Sequence, residues 1–164
     1  MRLFSRALTA GAVAATITLT GTAVAVADDL PPTGVEDFEY PQADKIFQDR
    51  GIKLKRGDGH ITLATCDSRP GLIEIMTEQN PTKPADKVGG GRYCFRVTGK
   101  SGYLSVELPR VIGGIGNDYN VNVNMVTSNE EKSFKLDNNL WTSIGKTADP
   151  QSRDFTLLEI TAKK

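Results

Sequence analysis

The chain has 164 residues, with 20 Lys and Arg balanced against 20 Asp and Glu, one His and 2 Cys. That balance lacks the basic stripe that nucleic acid demands and the polybasic patch that draws a protein to a membrane surface. Hydrophobic residues make up 38%, and 16 Gly and 8 Pro divide them into short runs, which suits a loop-rich β domain.

Residues 1–27 read as a secretory signal peptide. Arg2 and Arg6 form a positive start, an uncharged run of small and apolar residues follows, and Ala25-Val26-Ala27 matches the A-x-A cleavage pattern. Thr9, Thr16, Thr18, Thr20, Thr22, Gly11 and Gly21 dilute the run too much for a spanning helix. No Cys follows the cleavage point and Arg2 and Arg6 are not adjacent, so neither lipid anchoring nor twin-arginine export is indicated. Cleavage leaves about 137 residues, enough for one domain with its own core, carrying a net charge of about −2. The expected location is extracellular, with no membrane association after cleavage.

Residues 28–40 form an extended acidic arm containing Pro31-Pro32. Its Leu30-Pro31-Pro32-Thr33-Gly34 matches the sortase pattern L-P-x-T-G, but a sorting signal belongs near the C-terminus before a hydrophobic stretch, so the match reads as coincidence. A single sandwich domain is expected over residues 41–164. Residues 41–50 are its one predicted helix: Pro41 suits a first helical position, Ala43, Ile46, Phe47 and Arg50 share a face, and Gly51 is a natural stop. Ile46 and Phe47 are expected to bury this helix against a sheet.

From Ile52 the apolar period becomes two. Ile52 and Leu54 alternate with Lys53 and Lys55, and Gly57-Asp58-Gly59 signals a turn. Ile61 and Leu63 then face away from Thr62, Ala64 and Cys66. Ile73 and Ile75 alternate with Glu74 and Met76; residues 80–91 are a loop by composition. Tyr93, Phe95 and Val97 form an apolar face opposite Arg92, Cys94 and Arg96. After a turn at 99–102, Leu104, Val106 and Leu108 alternate with Ser105 and Glu107. Residues 109–118 read as a glycine-rich loop. Val121, Val123 and Met125 alternate with Asn120, Asn122 and Asn124, and residues 132–136 and 155–161 add two more strands. Six to eight short strands predict an all-β fold: a two-sheet, jelly-roll-like β-sandwich with one short N-terminal helix and one disulfide. Cys66 and Cys94 are the only candidates for that disulfide, and an exported chain favours their oxidation.

Chemistry-bearing patterns are sparse. His60 is the one histidine, and no serine sits in a nucleophile motif. Glu74, Glu107 and Glu159 alternate with apolar neighbours, as solvent-facing strand residues do, and nothing pairs two of them in a cleft. Asp58, Asn117 and Asp118 are candidate calcium ligands, because secreted sandwiches can hold calcium through loop oxygens, although Asp and Asn also favour turns for backbone reasons. No other cofactor is indicated. Trp141, Tyr103, Tyr119 and Tyr40 are candidates for a carbohydrate platform, and the row Asn120, Asn122, Asn124 for hydrogen bonds to a sugar or peptide.

Tyr93-Cys94-Phe95-Arg96-Val97-Thr98-Gly99, followed by Gly102-Tyr103-Leu104-Ser105-Val106-Glu107-Leu108, a glycine loop and residues 119–126, resembles the bacterial pre-peptidase C-terminal type of β-sandwich. It is also similar to small secreted proteins of actinobacteria. The former are noncatalytic accessory domains of secreted enzymes, so the resemblance implies a binding role without assigning any site residue. The helix and the Cys66/Cys94 pair depart from that pattern.

The expectation is therefore a secreted, monomeric, noncatalytic binding or accessory protein, whose partner is a secreted enzyme, an envelope polysaccharide or another polymer. The alternatives are a proteinase inhibitor acting through residues 80–91, which lie within the Cys66–Cys94 loop, and a small hydrolase using His60.

Overall fold

Alternation of residue type becomes alternation of burial. Val121, Val123 and Met125 are fully buried while Asn120 and Asn122 are exposed, and Leu104, Val106 and Leu108 are buried between half-exposed neighbours. The computed structural model describes residues 37–66, 70–78 and 91–164. The expected signal peptide at 1–27, most of the expected acidic arm and most of the 80–91 loop lie outside the described residues.

The described chain is a two-sheet β-sandwich. Its elements are β1 (Phe38–Glu39), α1 (Ala43–Arg50), β2 (Lys53–Gly57), β3 (Ile61–Ala64), β4 (Leu72–Thr77), β5 (Arg92–Val97), β6 (Ser101–Leu108), β7 (Val111–Ile115), β8 (Asn120–Thr127), β9 (Glu130–Leu136), β10 (Trp141–Ser143) and β11 (Thr156–Lys163), with a 3₁₀ turn at Gly145–Ala148. Sheet A has the order β1-β2-β6-β11-β8-β9 and sheet B the order β10-β7-β4-β5-β3. All strand pairs are antiparallel. The chain crosses between sheets repeatedly, as a jelly-roll-like sandwich requires. Gly57-Asp58-Gly59 and Gly99-Lys100 are such crossings, not hairpins, because β2 and β6 lie in sheet A while β3 and β5 lie in sheet B. One core joins the inner faces, with Leu104, Val123 and Ile160 from sheet A against Ile73, Ile75 and Phe95 from sheet B.

Three expectations are corrected. First, residues 109–118 are not a loop, since Val111-Ile112-Gly113-Gly114-Ile115 is β7, paired to both β4 and β10. Its glycines make room for neighbours on both faces: a Cβ on Gly113 would meet Trp141, and one on Gly114 would lie 3.1 Å from Leu136 Cδ2. Second, eleven strands are present among the described residues, because β1, β7 and β10 join those that alternation reveals. Third, the helix begins at Ala43, with Gln42 in a left-handed conformation, so Pro41 lies outside it. Tyr40 sets that entry: its N–H donates to Lys55 O and its hydroxyl accepts from Leu63 N–H at 2.8 Å, tying the preceding residue to both sheets. Ile46 packs on the core but Phe47 remains 47% exposed, so only half of the expected apolar pair is buried. Gly51 ends the helix in the left-handed conformation, its N–H donating to Phe47 O.

Cys66 and Cys94 form the disulfide, with Cα atoms 5.2 Å apart. Cys66 follows the end of β3, whose Ala64 pairs with Cys94 in β5, so the bond fastens adjacent segments of sheet B. With Leu72 and Ala64 it makes a small apolar cluster separate from the main core.

Candidate functional site

The outer face of sheet A is built by register. In β11, Ile160 and Ala162 point into the core, which sends Glu159, Thr161 and Lys163 outward. A register shift between Leu157 and Glu159 is what lets both Leu157 and Ile160 reach the core. Thr161 then pairs with Tyr103 on one side and Asn122 on the other, and Asn122 pairs with Lys135. Lys163 pairs with Ser101 and Asn120, and Glu159 with Ser105 and Asn124. Cross-strand partners share a face, so hydroxyls, amides, one aromatic ring and two lysines stand in three parallel rows.

This face carries an open depression of about 820 Å³, bordered by Tyr103, Asn120, Asn122, Thr161 and Lys163, with Asp58 at its margin. Among the described residues, no hydrogen bond engages the side chains of Tyr103, Asn120 or Lys163, whereas Asp58 accepts from His60, Asn124 Nδ2 donates to Glu159 Oε1 at 3.1 Å, and Thr161 Oγ1 makes a long contact of 3.4 Å to Asn122 O. The asparagine row is therefore joined by Tyr103, Thr161 and Lys163. Sequence reading could have found Thr161 and Lys163 from their alternation with Ile160 and Ala162.

The four aromatic candidates do not assemble into one platform. Tyr103 lies on the outer face of sheet A. Tyr119 is buried, its hydroxyl donating to Gly99 O at 2.8 Å with Lys164 Nζ over its ring. Tyr40 uses its hydroxyl on Leu63. Trp141 belongs to β10, at the edge of sheet B.

The candidate calcium ligands all make hydrogen bonds within the protein. Asn117 is buried, its Nδ2 donating to Gly71 O at 3.0 Å and its Oδ1 accepting from Tyr119 N–H at 3.1 Å. Asp118 Oδ1 accepts from Asn139 Nδ2, and Asp58 Oδ1 accepts from His60 N–H at 2.9 Å. Among the described residues, no group of three or more His, Cys, Asp or Glu side chains is placed to hold a metal ion.

His60 Nδ1 lies 3.3 Å from Asp58 Oδ2, which orients the ring as a base and its partner would be. Among the described residues no serine, threonine or cysteine side chain hydrogen-bonds to that ring. Glu107 and Glu159 share the outer face of sheet A, but Glu107 pairs with Lys55 at 3.1 Å and Glu159 with Asn124, while Glu74 lies on sheet B against Arg92. Of the candidate inhibitory loop at 80–91, residues 80–90 lie outside the described residues. Among the described residues, no helix is long and apolar enough to cross a membrane.

No protein-family model and no curated protein matches this chain.

Proposed function

We propose that this protein is a secreted, noncatalytic sandwich that binds an extracellular polysaccharide on the outer face of sheet A. The observation that carries the reading is the in-register row Tyr103–Thr161–Asn122 bordering the depression. A polysaccharide presents hydroxyl groups in a repeating line beside the C–H faces of its rings. An antiparallel sheet offers a matching line, with side chains about 4.7–4.9 Å apart from strand to strand. Amides and hydroxyls both donate and accept, as sugar hydroxyls require, and Tyr103 supplies an aromatic ring with a polar end. The rows lie on the rigid strands of a disulfide-bonded sandwich, so little ordering is needed on binding.

The test is retention of the oxidised chain on insoluble cellulose, chitin and bacterial cell wall, compared with the double variant Asn122→Ala/Thr161→Ala. Retention on at least one polymer, weakened about tenfold or more in the variant, supports the reading. Retention that the variant leaves unchanged, or none on any polymer, overturns it. In that case recovery of one secreted protein from culture supernatant would return the partner to the protein class.

A further inference from the structure

We infer that Trp141 and its cross-strand neighbours form a second carbohydrate site, one that stacks a pyranose ring on the outer face of sheet B. This shares the ligand class of the reading above but none of its residues, so the two stand or fall separately.

Trp141 is 46% exposed and the adjacent Leu140 66%. Such a residue on a three-residue edge strand would ordinarily swing freely, but β7 gives it a seat. A Cβ built on Gly113 would lie 2.0 Å from both Cζ2 and Cη2 of the indole, so the ring fills the space that a side chain at 113 would take. Glycine inside a strand weakens it and commonly marks the close approach of another group. Here that group is an aromatic ring left half open to solvent.

The same register supplies polar partners. Trp141 pairs with Ile115 and Ile115 with Glu74, so the three stand in one row across β10, β7 and β4. Glu74 points outward because Ile73 and Ile75 on either side are in the core. Arg92 grips its carboxylate, Nε donating at 2.8 Å and Nη2 at 2.6 Å. Two strand spacings separate Trp141 from Glu74, roughly 10 Å between backbones, a span that a disaccharide covers. A pyranose has an apolar face of C–H groups and a rim of hydroxyls. The indole offers a large apolar ring for the face. The Glu74–Arg92 pair, held in place and partly exposed, offers acceptors and donors for the rim.

A protein partner fits this surface less well, because the centres of protein interfaces are depleted in charged residues and their anchors sit in fully desolvated pockets. Here the half-exposed indole shares a register row with a charged pair two strands away. Two glycan faces on opposite sides of one rigid domain would let it bridge polymer strands, with the gain in apparent affinity that multivalency brings.

Trp141 is the chain's single tryptophan, so its emission reports on this site alone. The test titrates the oxidised full chain with cellohexaose, chitohexaose and xylohexaose. A saturable blue shift with at least one of them, at concentrations up to about 10 mM, is the expected result. By calorimetry, that sugar should bind at least about tenfold more weakly to Trp141→Ala, with Trp141→Phe retaining most of the affinity and Glu74→Gln losing several-fold. Asn122→Ala/Thr161→Ala should leave the emission shift intact. An emission unmoved by all three sugars, or equal affinity in Trp141→Ala and the parent protein, overturns the inference. A shift abolished by the sheet A variant overturns its independence from that face.

Discussion

Arg153 encloses the carboxylate of Asp149. Its Nη2 donates to Oδ1 at 2.7 Å, its Nε to Oδ2 at 2.9 Å, and its own backbone N–H also to Oδ2 at 2.9 Å. The Asp149 side chain is only 2% exposed, and Lys132 and Glu130 of β9 extend the network, with Arg153 reaching Glu130 at 3.0 Å. The guanidinium and the N–H of Arg153 hold the Asp149 carboxyl well below the usual carboxylate range. Arg153 and Lys132 also lie over the Phe155 ring, so the network fastens the start of the final strand to β9.

A carboxylate whose folded pKa is depressed supplies stability that is fully present above its unfolded value of about 3.9. That stability drains away as the pH falls toward the lower folded value. Asp149→Asn is therefore expected to lower Tm by several degrees at pH 7, a loss that shrinks progressively as the pH falls from about 4 toward 2. Thermal melts across that range check it; an equal loss at both ends would mean that the charge contributes nothing.

The Cys66–Cys94 bond closes a loop of 28 residues' separation. The chain-entropy model assigns such a loop about 3–4 kcal/mol. Reduction, or the double variant Cys66→Ala/Cys94→Ala, is expected to lower the unfolding free energy measured in urea by that amount, with a slope no shallower than the parent's. The variant should still fold, because the main core contains neither cysteine. A variant that is unfolded without denaturant would show that the sandwich depends on the bond outright.

Gly113→Ala should displace the indole of Trp141 toward water. The expected signature is a red-shifted emission, with a loss of about 1–3 kcal/mol of stability typical of overpacking. An unchanged emission maximum would mean that the ring is not seated on residue 113.

Asn117→Ala removes a buried amide that accepts from Tyr119 N–H and donates to Gly71 O. It leaves both backbone partners without that amide, at a cost of about 1–3 kcal/mol. Chemical denaturation measures it, and a loss below about 0.5 kcal/mol would indicate that water replaces the side chain without penalty.

The legible parts of the fold are those in which one residue carries its own evidence. Val121, Val123 and Met125 alternate with asparagines, and the burial follows without exception. Gly51 announced the end of a helix and adopts the conformation that ends one. β7 stayed hidden because Gly113 and Gly114 read as loop residues, when their lack of side chains is what Trp141 and Leu136 require. β10 stayed hidden for the complementary reason, being three residues long and defined by its pairing to β7. Phe47 misled because an eight-residue helix beside β2 seats Ile46 on the core without turning the next residue toward it.

Local composition alone determined that the chain alternates as half-buried strands do, that its two cysteines have only each other to pair with, and that the strand acids face solvent. The alternation depends on neighbours one or two residues away, and the pairing on there being only 2 Cys in the chain. Tertiary structure decided which strands share a sheet, that Tyr103, Thr161 and Asn122 stand in one row, and that Trp141 rests on Gly113. Each of these joins residues 19 to 58 positions apart in the sequence. Their meeting depends on sheet order and on the register shift before Glu159, and both are set by which apolar side chains the shared core can accommodate.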